Sequence, residues 1–101
     1  MKIYELQNKI KEINPAWSIN YSENIDYRDI YAQRARHNIE ITVYKVSYDD
    51  SAKILEAGND EFNDSYFIFD EYYAKGANIT KILKLVQLLQ DYLSNFKGYI
   101  D

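Results

Sequence analysis

The chain reads as a small α+β domain, an antiparallel sheet of three to four strands with an N-terminal and a C-terminal helix packed on it. Three observations carry that expectation. Apolar residues fall at helical spacing at both ends of the chain and alternate with polar residues in between. The 101 residues fit one domain spanning 1–101, and 47% apolar content is ordinary for a chain that folds around one core. Aromatic residues make up 16%, more than a chain disordered over its whole length carries.

Ile3, Leu6, Ile10 and Ile13 step by three, four and three, which sets one apolar stripe on a first helix with Lys2, Glu5, Lys9, Lys11 and Glu12 around it. Pro15 biases Asn14 away from helical geometry, so the helix should end there. Trp17, Ile19 and Tyr21 then alternate with Ser18, Asn20 and Ser22, the period of a half-buried strand. Residues 24–37 suit a loop or a short helix. Ile39, Ile41 and Val43 alternate again, but the apolar parity shifts to Tyr44, Val46 and Tyr48, which predicts a bulge or a strand covered on both faces. Asp49 and Asp50 make a turn, and residues 51–57 fit either a returning hairpin strand or a helical turn before Gly58 and Asn59 punctuate the chain. SYFIFDEYY, from Ser65, is rich in the residue types strands favour. Asn78 is suited to cap a last helix whose stripe runs Ile79, Ile82, Val86, Leu89, Leu93 and Phe96, widened by Leu85, Leu88 and Tyr92.

Catalytic motifs are missing. His37 is the only histidine and lies in RARHN, without a nucleophile-elbow sequence nearby. The segment NDEFND offers hard oxygen ligands, yet Phe62 breaks the calcium-loop pattern and its glycine is absent. Gly58, Gly76 and Gly98 stand too far apart to cradle a phosphate, so no metal or cofactor is expected and the chain does not read as an enzyme. Small basic groups occur at Arg28, Arg34 and Arg36 and at Lys81, Lys84 and Lys97, but a net charge of −4 argues against direct nucleic-acid binding. Without cysteine, a signal-peptide core or an apolar run long enough to span a membrane, the expected location is the cytoplasm of a bacterial host. Residues with AT-rich codons dominate, which fits a low-GC Gram-positive bacterium or its phage.

Charge is segregated along the chain. Residues 49–73 hold eight acids, Asp49, Asp50, Glu56, Asp60, Glu61, Asp64, Asp70 and Glu71, against Lys53 alone. Like charges held together on a folded surface raise the energy of the compact state, a cost that makes sense where the field attracts a cationic partner. Tyr66, Tyr72 and Tyr73 add contact area with a polar tip inside the same segment. These eleven residues are the expected partner-binding set. The competing account places Tyr66, Phe67 and Phe69 in the core and has the acids keep a sheet edge soluble.

Helix, small sheet, closing helix and the acidic run DDSAKILEAGNDEFNDSYFIFDE together resemble the small anti-CRISPR proteins of Gram-positive phages. Some members of that group occupy the DNA-binding cleft of Cas9 by presenting carboxylates where phosphates or the protospacer-adjacent motif would sit. The resemblance implies a non-enzymatic inhibitor, a DNA mimic that occupies a basic surface of a nucleic-acid-binding host protein such as a CRISPR effector. The alternative is a structural or assembly protein that forms homo-oligomers, a homodimer at the simplest, through its last helix and tyrosine-rich strands.

Overall fold

The computed structural model describes residues 1–26, 36–46, 51–59, 65–70 and 78–96. Helix α1 spans Ile3–Ile13, followed by strands β1 (Trp17–Asp26), β2 (Arg36–Val46), β3 (Ser51–Asn59) and β4 (Ser65–Phe69), and helix α2 spans Ile79–Ser94. The strands form one antiparallel sheet in the order β1-β2-β3-β4. A helix at each end and a four-stranded sheet between them make the α+β fold that the periodicities predict.

Local chemistry sets the boundaries. The helix α1 stops at Asn14, whose backbone N–H donates to the Ile10 carbonyl while its side-chain oxygen accepts from the Ala16 N–H at 3.0 Å. Asn78 caps α2 as expected, its side chain accepting from the Thr80 N–H at 2.9 Å. At the far end Asn95 closes the helix, its side-chain amide donating to the Asp91 carbonyl at 2.8 Å.

Both helices lie on one face of the sheet, α1 over β1 and α2 over β3 and β4. That face buries Trp17 and Ile19 from β1, Ile39, Ile41 and Val43 from β2, and Ile54, Leu55 and Ala57 from β3. Leu6 and Ile10 of α1 and Leu85, Leu89, Tyr92 and Leu93 of α2 close over them. Each fully buried aliphatic side chain contributes roughly 1.5–3 kcal/mol relative to its exposed state, so the apolar area between these layers dominates the stability. No polar or charged side chain is buried there among the described residues.

Four features depart from the sequence reading, the first being that residues 24–26 and 36–37, read as part of a loop or short helix, extend β1 and β2 as strand. The stripe of α2 centres on Leu85, Leu89, Tyr92 and Leu93, and Ile79 at its start is 74% exposed. The parity shift at Tyr44 marks a bulge, but the extra residue belongs to the neighbouring strand: Val43 pairs with Leu55 and Tyr44 with Lys53, leaving Ile54 unopposed. β2 itself keeps strict alternation and sends Tyr44 and Val46 to the other face. The bulge lets Ile54 and Leu55 both point into the core, which a regular strand forbids to consecutive residues. Residues 51–59 are strand throughout, and Gly58 is a buried position within it, not a stop.

Candidate functional site

The second face of the sheet carries no helix among the described residues, and its side chains follow from the register. Three of its cross-strand rows make up the site. Ser22, Glu40, Gly58 and Tyr66 form one; Asn20, Thr42, Glu56 and Ile68 form the next; Ser18, Tyr44 and Lys53 form the third.

Glu40 and Glu56 sit diagonally in adjoining rows, close enough for their carboxyl groups to hydrogen-bond. A bond between two carboxyls needs a proton on one of them. The hydrogen bond to Glu56 raises the pKa of Glu40 above the usual carboxylate value, partial burial and the Glu56 charge push the same way, and the Lys53 charge opposes them. Lys53 lies 3.6 Å from the Glu56 carboxylate. These two residues are three apart in sequence and would face opposite ways in a regular strand. The Ile54 bulge is what places them on one side.

Tyr66 completes the cluster. Its ring lies across Gly58, its cross-strand partner, so closely that a methyl group on Gly58 would sit 2.7 Å from the hydroxyl oxygen and 2.6 Å from the Ile39 carbonyl oxygen. The glycine is required by this approach. Burial raises the pKa of the Tyr66 hydroxyl, and the Glu40 and Glu56 charges raise it further, so it stays a neutral donor. Ile68, 53% exposed, adds an apolar contact surface beside the carboxyls.

Of the residues the sequence nominates, the structure brings Glu56 and Tyr66 together here, and Asp70 follows β4 at the parity of the same face. The Asp70 backbone N–H donates to the Ile54 carbonyl at 3.0 Å. Asp49, Asp50, Asp60, Glu61, Asp64, Glu71, Tyr72 and Tyr73 lie outside the described residues. The sequence reading missed Glu40, which stands nine residues before the acidic segment. The alternation of Ile39, Ile41 and Val43 was the available signal, because it sends Glu40, Thr42 and Tyr44 to one shared polar face.

The aromatic run of β4 divides between the accounts given for it. Phe67 packs against the core, Tyr66 does not, and Phe69 is 44% exposed. On the helical side, a cleft between α1 and α2 is lined by Lys9, Lys81, Lys84, Glu12, Ile13 and Leu88. Positive charge therefore gathers between the helices, while the carboxyl pair lies on the other side of the sheet. Among the described residues no group of three metal-ligating side chains occurs, and no helix is long and apolar enough to cross a membrane.

Comparison with known proteins finds no matching family model, no matching curated protein and no matching solved structure.

Proposed function

We propose that this chain is a non-enzymatic protein-binding module that turns the uncovered face of its sheet toward a basic surface of a nucleic-acid-binding host protein. The observation that carries the reading is the Glu40–Glu56 carboxyl pair beside Tyr66 on that face, with the Lys53 ammonium next to Glu56. Two carboxyls held this close gain when a guanidinium or ammonium group comes between them, because charge-assisted hydrogen bonds then satisfy both. Ile68 and the Tyr66 ring supply contact area around them, as interface cores prefer. The acids of residues 49–73 strengthen the same field at the level of the whole chain.

The host protein we favour is a CRISPR effector, on the strength of the resemblance to small acidic phage inhibitors. Assembly through α2 is less well supported, since the helix turns Leu85, Leu89, Tyr92 and Leu93 into the chain's own core. Titrating the chain into a guide-loaded Cas9-type effector while following target-duplex binding tests the specific form. Inhibition that weakens with salt and is lost in Glu40→Lys and Tyr66→Ala is expected. Undiminished duplex binding at saturating chain would remove the CRISPR assignment. If Glu40→Lys and Tyr66→Ala left the affinity for purified basic nucleic-acid-binding proteins unchanged, the uncovered face would lose its role altogether.

A further inference from the structure

The two edges of the sheet are finished differently, and the difference bears on how a partner docks. The Val46 N–H donates to the Ala16 carbonyl at 2.9 Å, which fixes the phase of the β1-β2 ladder and turns the backbone groups of Trp17, Ile19 and Tyr21 toward the outer edge. That edge is guarded where it begins. The Trp17 N–H donates to the Asn14 carbonyl at 3.0 Å, and the Lys11 ammonium donates to the Trp17 carbonyl at 3.3 Å. An edge lysine is a common device against strand addition.

Among the described residues β4 has no such guard. The bond from the Asp70 N–H to the Ile54 carbonyl sets the phase of the β3-β4 ladder, so Tyr66 and Ile68 bond to β3 while the N–H and C=O groups of Ser65, Phe67 and Phe69 face outward. Among the described residues β4 pairs with β3 only. Its sequence, SYFIF, holds no lysine and no proline, and Ile68 and Phe69 are 53% and 44% exposed. An edge of this kind is a template for one more strand.

Charge selects the occupant. The chain carries Asp60, Glu61 and Asp64 in the five residues before β4 and Asp70 and Glu71 in the two after it, with no basic residue between Lys53 and Lys75. A second copy pairing β4 with β4, in either direction, would set carboxylates beside carboxylates, which cross-strand pairing disfavours. We infer that the outer edge of β4 accepts an extended segment of a partner protein, apolar at alternate positions and flanked by lysine or arginine, which adds a fifth antiparallel or parallel strand through Ser65, Phe67 and Phe69. The inference rests on the protein-binding reading above and supplies its mode of recognition: an added strand would continue the row that ends at Tyr66 and the row that ends at Ile68.

The probe is a short synthetic peptide alternating valine and threonine with lysines at both ends, compared with a glutamate-ended version and with one N-methylated along its pairing edge. Amide hydrogen exchange of the full chain gives the readout. The lysine-ended peptide should slow exchange at the Phe67 and Phe69 amides by about tenfold or more, while the other two peptides leave them unchanged. Phe67→Pro removes one outward N–H, along with a ring packed on the core, and should abolish the protection of Phe69. N-methylation of the peptide tests the same bonds with the chain itself unaltered. Unchanged exchange at saturating lysine-ended peptide overturns the edge proposal. If the peptide instead shifts only Glu40, Glu56 and Tyr66, the edge proposal fails and the uncovered-face reading survives. Protection of Phe67 and Phe69 that grows with chain concentration alone names a second copy as the occupant and overturns it as well.

Discussion

The two faces of this sheet are built from the same strands, one residue apart, and do opposite work. On one, Ile39, Ile41, Val43, Leu55 and Ala57 lie under two helices with 1% exposure or less. On the other, Glu40, Thr42, Tyr44 and Glu56 remain half-buried, and the hydrogen bond to Glu56 raises the Glu40 pKa. The first face carries the core and the second is the one proposed to bind, so substitutions on the two should separate cleanly.

Leu89→Ala tests the covered face and should have the largest effect. Leu89 is fully buried, and truncating it should cost about 2–5 kcal/mol, read as a lower urea midpoint with unchanged slope. Thr42→Ala on the uncovered face should stay within about 0.5 kcal/mol. Equal effects at the two positions would erase the distinction.

Gly58→Ala probes the one place where the faces are mechanically joined. The added methyl meets the Tyr66 ring on one side and the Ile39 carbonyl on the other, and should cost about 1–3 kcal/mol. Combining it with Tyr66→Ala should recover the part owed to the ring and leave the part owed to the backbone. A double-mutant cycle measures that coupling, and strict additivity would show that the ring is not held over the glycine.

Asn78→Ala removes the side-chain acceptor for the Thr80 N–H at the start of the helix that covers β3 and β4. The loss should be about 1 kcal/mol in thermal or urea unfolding. Thr and Ser at this position should rescue it; Gln should not.

A small effect that depends on pH is expected from Glu40→Gln. Glu40 titrates above its ordinary value in the folded chain, so between the unfolded and folded pKa the native state binds more protons and stability falls as pH rises. The glutamine variant does not titrate and can still donate to Glu56. Its urea midpoint should therefore exceed that of the parent at neutral pH, by no more than about 1 kcal/mol in free energy after solvent screening, and the gap should close in acid. A gap that widens in acid would contradict a raised Glu40 pKa.

Much of this architecture could be read without coordinates, for identifiable reasons. The stripe of α1 and its stop at Asn14 were legible because proline and a strict spacing act within a few residues. β1 and β2 were legible because one face is covered and the other is wet, which writes alternation into the sequence. The nature of residues 51–57 was not, since a bulge breaks the period that would have announced a strand. The centre of the α2 stripe was displaced because a wide apolar face has several consistent axes, and only the sheet beneath chooses one. Glu56 and Tyr66 stood out through the acidic segment; their partner Glu40 did not, because a cross-strand diagonal leaves no trace in sequence separation.

The bulge at Ile54 has a consequence for how this strand can vary in length. Val43 opposite Leu55 and Tyr44 opposite Lys53 are already the pairings of an unbroken ladder, so Ile54 sits in the sheet as an inserted letter that shifts no other. A chain lacking that residue would keep Lys53 outward, Leu55 inward and the Tyr66 ring above Gly58. It would lose the apolar volume that the isoleucine contributes and the bond from the Asp70 N–H to its carbonyl. Gain or loss of one residue, ordinarily ruinous inside a strand, is at this point a change of filling and not of phase.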